Sequence, residues 1–302
     1  MDIAVIGSNM VDLIAYITRM PAEGETIEAP DFKMGCGGKG ANQAIAAARL
    51  GADVLMLTRV GNDIFADNTI ENFRKNGIDT RYWNPETDPH IPERFSAKNL
   101  RGKAQAREEL LPRAGFDPRS KEPLVVCVSR LVEQKGFSLI LSALDALPGL
   151  GAKFVFLGSG HGWIENALSQ AGDRFPDTLR FFRGYDEPLS HLLYAGGDIF
   201  LMPSVFEPCG LSQMIAMRYG TVPLVREVGG LRDTVTDADA PGGGNGFTFQ
   251  ACDAAGMLWA LRRAVARFGD AEYWNALRAR AMAGDFSWDR SALLYKDLYQ
   301  TL

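Results

Sequence analysis

Short apolar runs alternate with longer amphipathic stretches along most of the 302-residue sequence. Several of these runs have the length and the Val, Ile, Leu and Phe content of buried strands. They cover residues 3–7, 54–60, 124–129, 153–158, 179–184, 199–204 and 222–227. The stretches between them have helical periodicity, and several end at a glycine, as helix C-termini prefer. The alternation predicts an α/β protein with Rossmann-like layers, in which helices cover a mainly parallel sheet.

Two segments break this alternation. Residues 13–36 alternate polar and apolar positions, which predicts a small antiparallel β flap instead of a crossover helix. Residues 84–122 are rich in Pro, Asp, Glu, Lys and Arg and contain one helical piece, KNLRGKAQAREELL. That composition predicts a connector leading into a second lobe. The chain then reads as helical from residue 254 to its end.

Charge and cysteine content argue against several classes of function. Charged residues make up 23% of the chain and the net charge is −5, so no broad basic surface is expected for nucleic acid. No apolar run approaches the ~20 residues that span a bilayer, and Asp2 stands where a signal peptide favours a basic residue. We therefore expect a cytoplasmic protein with no membrane partner. The cysteines have no C-x-x-C spacing and the chain has 3 histidines, which argues against a disulfide framework and against a metal site.

Two glycine-rich turns in the first eighty residues form a candidate ligand site. The opening strand ends in GSNMVD (7–12), and GCGGKGANQ (35–43) runs directly into a helix. Glycines there allow positive φ and let backbone amides approach a ligand, while Lys39 and Asn42 can donate to hydroxyls. On the residues alone, a ligand site and a purely structural turn explain the pattern equally well.

Residues 1–79 resemble the N-terminal part of the ribokinase family. The family motifs G-S-x-N-x-D and G-G-K-G-A-N contact a sugar, which implies pentose contacts from Asp12, Gly38, Lys39 and Asn42. Met10 stands where ribokinases have Asn, as in deoxyribokinases, and suits a sugar that lacks a hydroxyl. The family's later D-T-x-G-A-G-D motif supplies the catalytic base and the anion hole, and it does not occur in this sequence. The resemblance therefore implies a vestigial sugar site without phosphoryl transfer.

Polar clusters follow several of the later predicted strands, where open α/β sheets place their ligands. They are SRLVEQKG (129–136), GSG (158–160) and FEPCGLS (206–212). Arg130 and Lys135 belong to one loop and can bind a diphosphate together. The Arg130 guanidinium can donate two parallel hydrogen bonds, and the Lys135 ammonium supplies a point charge. Solvated loop cations are the simpler alternative.

Glu207 precedes a turn, residues 208–211, that opens a helix. Its carboxylate and the following amides face one point, which suits a hexose attached to a phosphate. An acid at a helix start also serves as a cap or a dipole partner, so this alternative stays open on the residues alone.

Residues 76–302 resemble the C-terminal, donor-binding domain of bacterial glycogen synthases and plant starch synthases, which have the two-domain GT-B fold. The segments that carry the resemblance are NGIDTRYWNPETDPHIP, VSRLVEQKGF, GYDEPLSH, MPSVFEPCGLSQMIAMRYGTVPLVREVGGLRDTV and DFSWDRSALLY. The resemblance implies that Arg130 and Lys135 bind the diphosphate of ADP-glucose. It also implies that Tyr185 lies against the adenine and that Gly158 and Gly160 lie beside the nucleoside. The implied contacts to the glucose come from Glu207, Cys209, Gly210 and Leu211.

The residues expected to carry any catalysis are Arg130, Lys135 and Glu207, with ADP-glucose as donor and no other cofactor. Besides ADP and ADP-glucose, a glucan or a pentose is a candidate ligand.

The sequence departs from the synthase pattern in two ways. Ile215 takes the last position of the E-x7-E pattern of related transferases, although Tyr or Ile there is compatible with glycogen or starch synthases. The acceptor domain, which brings a K-x-G-G-L loop and a histidine to the site, is replaced. Residues 33–38 only approximate that loop. None of His90, His161 and His191 lies in the lobe from which the synthases supply their histidine.

The tetrapeptide Asn76-Gly77-Ile78-Asp79 fits both resemblances and predicts the junction of a chimera, with domains at 1–79 and 80–302. The predicted function is an ADP-glucose-binding donor domain with little or no glucosyl transfer. A carbohydrate kinase without its catalytic half, or a non-enzymatic graft of two folds, is the alternative. Orphaned interdomain surface, with Phe286, Trp288 and Leu298 exposed on the tail, predicts self-association.

Overall fold

The structure is a computed structural model of the chain, and it describes residues 2–58, 60, 64–76 and 83–286. These residues form two compact units. The first contains the residues up to 76 together with Asp285 and Phe286, and the second is Trp83–Gly284. Of the predicted junction at residues 76–79, the structure describes only Asn76, so the boundary between 79 and 80 stays a prediction.

In its described residues, the first unit contains a parallel strand pair, an antiparallel flap and two helices. Its elements are β1 (Ile3–Ile6), β2 (Met10–Tyr16), β3 (Asp31–Gly37), α1 (Lys39–Arg49), β4 (Val54–Leu57) and α2 (Ile64–Lys75). β1 pairs in parallel with β4, from Ile3 opposite Val54 onward. β2 pairs antiparallel with β3, which confirms the predicted flap. A small core of Val5, Ala41, Ala44, Val54, Met56 and Phe73 lies between the parallel pair and the helices.

The second unit is a six-stranded parallel sheet covered by helices. Its strands are β5 (Leu124–Val128), β6 (Lys153–Gly158), β7 (Leu179–Arg183), β8 (Ile199–Met202), β9 (Val222–Arg226) and β10 (Phe247–Phe249). Its helices are α3 (Arg101–Arg113), α4 (Phe137–Ala143), α5 (Gly162–Arg174), α6 (Glu187–Gly196), α7 (Ser212–Arg218), α8 (Gly229–Thr234), α9 (Ala254–Phe268) and α10 (Ala271–Met282). The strand order across the sheet is β10-β9-β8-β5-β6-β7.

The sheet is buried because helices cover both faces, and its strands are accordingly apolar at consecutive positions. Residues 124–127 are all buried, as are residues 199–202. The predicted strands 124–129, 153–158, 179–184, 199–204 and 222–227 are confirmed, with ends that differ by a residue or two.

The connector predicted at residues 84–122 folds into the second unit through helix α3. Lys103 on this helix is buried, and its ammonium donates to the carbonyls of Ala195 at 2.8 Å, Gly197 at 2.7 Å and Tyr219 at 3.1 Å. It also donates to Thr221 Oγ1 at 2.8 Å. Burial lowers the pKa of Lys103 well below its ordinary value. The connector is therefore an integral part of this domain.

The tail is described only as far as residue 286. Phe286, which we expected to be exposed, is half-buried. Shielding part of an aromatic ring from water stabilises the folded state, which favours this position. Trp288 and Leu298 lie outside the described residues. Within the described ranges, none of the helices combines the length and the apolar character needed to cross a bilayer.

Asp237 holds the edge strand β10 to helix α9. Its carboxylate accepts from the Thr248 amide at 2.8 Å and from Arg263 at 2.6 Å. Burial alone raises the pKa of a carboxyl group, but the hydrogen bonds from Arg263 and from the Asp239 and Thr248 amides outweigh it and lower the pKa of Asp237. When folding lowers the pKa of a carboxyl group, that group stabilises the fold at any pH above its unfolded pKa of about 3.9. The stabilisation is lost as the pH falls through the pKa that the group has in the folded protein.

Replacing Asp237 with asparagine is therefore expected to lower the free energy of unfolding by about 1–2 kcal/mol at pH 7. The difference from the wild type should shrink between pH 4 and pH 2, and urea titrations followed by circular dichroism measure it. Asp145→Asn, at a largely exposed pair with Arg174, is the matched control and should change stability by less than about 0.5 kcal/mol. A D237N defect that stays constant down to pH 2 would contradict this assignment.

Candidate active site

The strand order of the second unit creates a crevice between β5 and β8. The chain proceeds from β5 through β6 to β7 on one side, and from β8 through β9 to β10 on the other. At such a switch point the loops after the two central strands diverge, so open α/β sheets bind ligands there, at the carboxyl ends of the strands. A cavity of about 210 Å³ lies at this place, lined by residues 127–130, residues 200–204, Lys135 and Ser212.

Two loops that meet at the cavity are joined through their backbones. Residues 133–135 form a short 3₁₀ helix after β5, and Gly136 follows it with φ +78°. A Cβ added at Gly136 would lie 2.0 Å from the Pro203 carbonyl oxygen, so only glycine allows this approach. The Val205 amide donates to the Gln134 carbonyl at 2.9 Å. The close contact fixes Lys135 against the loop after β8.

Lys135 and Glu207 form a close ion pair at the cavity. The Lys135 ammonium lies 2.5 Å from Glu207 Oε2, and the Ser204 hydroxyl donates to the same oxygen at 3.2 Å. The Glu207 side chain is only 8% exposed, whereas that of Lys135 is 17% exposed and reaches the cavity. A buried carboxylate that is paired in this way orients the cation, which leaves the ammonium available to a second anion in the cavity.

The turn after Glu207 packs against the loop that follows β9. The Gly230 amide donates to the Glu207 carbonyl at 3.2 Å, and a Cβ on Gly229 would lie 2.1 Å from that same oxygen. Gly210 has φ +75°, and Gln213 donates to its carbonyl at 3.0 Å. Cys209 and Leu211, the other two residues predicted to hold a glucose, are exposed on this turn.

The other predicted donor-site residues take different positions around the crevice. Arg130 is exposed and lines the cavity. Gly158 and Gly160 are not among the described residues that line it, and a Cβ on them would lie 1.9 Å and 2.2 Å from carbonyls of the loop after β5. Both glycines are therefore required for close backbone approach. Tyr185, 66% exposed, lies between β7 and α6. The binding roles of these residues stay predictions.

Three supporting residues at this site were not singled out from the sequence. Ser204 donates to the Glu207 carboxylate, and Gln213 bridges the turn at Gly210 to Thr234 Oγ1 at 3.1 Å. Arg226 donates to the Ser204 carbonyl at 3.0 Å and to the Val205 carbonyl at 2.5 Å. The signal for Arg226 was a charge at the carboxyl end of an apolar strand, whereas Ser204 and Gln213 give no sequence signal of their own.

The first unit brings its two glycine-rich turns together. The Ala41 amide donates to the Ser8 carbonyl at 3.1 Å, and Met10 pairs with Gly37 in the flap. Asp12 packs against Gly37, because a Cβ there would meet its carboxylate at 2.5 Å. The predicted sugar-contacting side chains Met10, Asp12, Lys39 and Asn42 are all exposed, and Gly38 has φ +100°.

Among the described residues, one group has the composition to hold a metal ion. It consists of His90, Glu187 and His191, and one ligand atom from each lies within 4.8 Å of the others. None of the three lines the cavity between β5 and β8. The sequence had argued against a metal site because no ligand spacing indicated one.

Comparison with known proteins distinguishes the two parts of the chain. The family model described as "Glycosyl transferases group 1" matches residues 112–275. The model described as "pfkB family carbohydrate kinase" matches residues 1–92. The prediction that the chain joins two different protein families is thereby confirmed.

Similar curated proteins match the second part. A glycogen synthase of Anaeromyxobacter sp. is 47% identical over 227 residues, which covers 75% of this chain and 48% of that protein. A glycogen synthase of Streptococcus gordonii is 45% identical over 229 residues, with shares of 75% and 48%. The chain thus spans about half the length of the curated relatives that it matches.

Solved structures agree with this assignment of the fold. The catalytic domain of starch synthase IV from Arabidopsis thaliana, bound to ADP and acarbose, is 38% identical with a TM-score of 0.67, covering 85% of this chain and 57% of that one. The sucrose-phosphate synthase of Thermosynechococcus elongatus is 24% identical with a TM-score of 0.50, covering 66% and 48%, and indicates the fold alone. The predicted GT-B donor-domain fold is confirmed.

Proposed function

Because the chain belongs to the group 1 glycosyltransferases, we propose that its second unit binds ADP-glucose as the donor of a glycogen- or starch-synthase-like reaction. The observation that carries the proposal is the Lys135–Glu207 pair at the cavity between β5 and β8. The starch synthase structure with ADP supports the choice of nucleotide. We place the start of this donor domain at residue 80.

The cavity suits the phosphates of the donor. Lys135 supplies a point charge that is held in place by a buried carboxylate, and Arg130 supplies a guanidinium fork from the same loop. In glucosyl transfer from a nucleoside diphosphate glucose, negative charge develops on the leaving nucleoside diphosphate as its bond to the anomeric carbon of the glucose breaks. Fixed cations at the diphosphate stabilise that charge. Arg130 and Lys135 thus take the catalytic role of stabilising the leaving group, and Glu207 joins them by holding the Lys135 ammonium in place beside the glucose.

The remaining proposed contacts concern the nucleoside and the sugar. Tyr185 offers an exposed ring to the adenine, and Gly158 and Gly160 keep the backbone beside the nucleoside free of side chains. Glu207, with the turn Cys209-Gly210-Leu211, holds hydroxyls of the glucose through its second carboxylate oxygen and the backbone amides.

Transfer to a glucan needs a second lobe, which closes over the donor and excludes water. In this chain the residues ahead of the donor domain match the pfkB family. We therefore propose that the 302-residue protein binds the donor but elongates a glucan poorly or not at all.

Isothermal titration calorimetry tests the donor proposal directly. The protein should bind ADP and ADP-glucose, both should raise the melting temperature, and UDP should bind more weakly. Ribose and deoxyribose serve as the comparison ligands for the first unit. A folded sample that binds neither ADP nor ADP-glucose would refute the proposal and leave a non-enzymatic graft of two folds as the better description.

A carbohydrate kinase is the second candidate, favoured by the match of residues 1–92 and by the proximity of Asp12 to Gly37. We expect no ATP-dependent phosphorylation of ribose or deoxyribose. Phosphoryl transfer depends on positioning and charge stabilisation, and the motif that supplies both in ribokinases does not occur in this sequence. A coupled assay for ADP release measures it. Activity that disappears in an Asp12→Ala variant and survives in Asp31→Ala would reveal a substitute base.

We further propose that the protein associates with itself through its first unit, where Leu13, Phe32 and Met34 are exposed on the flap. Light scattering of the purified protein across a range of concentrations tests this, and a monomer at every concentration would refute it. The cytoplasmic location stays a prediction.

A further inference from the structure

A second constellation lies where the connector meets helix α6. His90 comes from the connector, Glu187 is the first residue of α6, and His191 follows one helical turn later. Residues four apart lie on the same face of a helix, so Glu187 and His191 point toward the same space. His90 approaches them from the connector, with its ring centroid 4.8 Å from that of His191. One ligand atom from each of the three residues lies within 4.8 Å of the other two.

The imidazole of His191 is held in one orientation. Asp88 Oδ2 lies 2.6 Å from His191 Nδ1, and Trp83 stacks on the His191 ring with centroids 3.9 Å apart. The Asp88 carboxylate also accepts from the His90 amide at 2.8 Å and from the Tyr219 hydroxyl at 2.5 Å. Asp88 and His191 are both buried.

This arrangement decides which nitrogen of His191 is available to a ligand. A carboxylate at Nδ1 keeps the proton there, so Nε2 carries the lone pair. A histidine that binds a metal through one nitrogen commonly donates from the other to a carboxylate, which fixes the ring and raises its basicity. Asp88 takes this supporting position before any ion binds.

We propose that His90, Glu187 and His191 bind a divalent first-row transition ion, with Zn²⁺ as the natural probe. Two imidazoles and one carboxylate form a donor set that zinc uses, with a water molecule completing a tetrahedron. Zinc–nitrogen bonds of about 2.1 Å require donor atoms about 3.3 Å apart, so ligand atoms that lie within 4.8 Å of one another must approach by at most about 1.5 Å. His90 and Glu187 are half-buried, whereas His191 is buried and held by Asp88.

Such an ion would fasten the connector to α6. Because none of its ligands lines the cavity between β5 and β8, the proposal is independent of the proposed donor binding. The expected result is a protein whose melting temperature rises on addition of zinc, since an ion that binds only the folded state stabilises it.

The test uses the full chain after dialysis against a chelator. Zinc titrated calorimetrically should bind with one ion per chain, and Co²⁺ should give the intense visible absorption of a tetrahedral site with nitrogen and oxygen ligands. His90→Ala and Glu187→Gln should each weaken zinc binding about tenfold or more. His161→Ala is the matched control, because His161 is exposed at the start of α5 and should leave the affinity unchanged.

Circular dichroism in the absence of metal establishes that each variant is folded. The proposal fails if the wild type takes up less than one zinc ion per chain at micromolar concentration, or if Co²⁺ gives only the weak spectrum of a hydrated ion. It also fails if H90A and E187Q bind zinc as tightly as H161A does.

Discussion

Replacing Lys135 with alanine is expected to weaken ADP binding about ten- to a hundredfold, which corresponds to about 1.5–3 kcal/mol. The ammonium lines the cavity and is held by a carboxylate whose side chain is only 8% exposed. Its removal deletes a charge-assisted contact to the diphosphate and also leaves Glu207 without its cation. Calorimetric titration of ADP into both proteins measures the change.

The control for this substitution is Lys98→Ala, which removes the same charge from an exposed position on the connector. K98A should bind ADP as the wild type does. Because the unpaired Glu207 also costs stability, the double variant Lys135→Ala/Glu207→Gln separates the two effects. It should recover melting temperature without recovering ADP affinity. A K135A protein that is folded and binds ADP within twofold of the wild type would show that the diphosphate lies elsewhere.

Incorporation of labelled glucose into glycogen is expected to be at least about a thousandfold slower than for a full-length glycogen synthase at the same donor saturation. Holding both reactants in a closed cleft supplies several kcal/mol of catalysis, and a donor domain alone lacks that contribution. The first unit does present Lys39 at a helix start. A working site, however, requires its groups to lie within about 0.5 Å of the productive geometry.

Slow hydrolysis of ADP-glucose is the activity that we expect from a donor domain without an acceptor lobe. Glu207→Ala should abolish it, and Glu86→Ala, at an exposed pair with Arg218, should not. Robust glucan incorporation that is lost only in the Glu207 variant would mean that the first unit acts as an acceptor lobe. The division of labour between the two units proposed above would then be wrong.

The buried strands were predictable because a parallel sheet covered on both faces needs apolar residues at consecutive positions. β10 was not predicted, because its residues, Phe247–Phe249, form too short a run to show a period. Helix α3 was anticipated as a helical piece, but its place in the domain depends on Lys103, whose partners lie 92 or more residues away in sequence. Local patterns contain no information about such pairings.

The candidate sites divide in the same way. The residues alone left a binding role and an ordinary surface role both open for Lys135 and Glu207. Their pairing across 72 residues follows only from the loops after β5 and β8 being neighbours. His90 and His191 are 101 positions apart and match no ligand spacing, so the sequence argued against a metal site there. The fold brings them together because the connector returns across α6.

The buried ammonium of Lys103 determines where this domain can be excised for transplantation. The glycosyltransferase family match begins at residue 112, downstream of that side chain. A fragment cut at residue 112 would lack Lys103, so the carbonyls of Ala195, Gly197 and Tyr219 would each lose the hydrogen bond from its ammonium. Any attempt to move this domain onto a new partner protein therefore has to take helix α3 along, starting no later than Arg101.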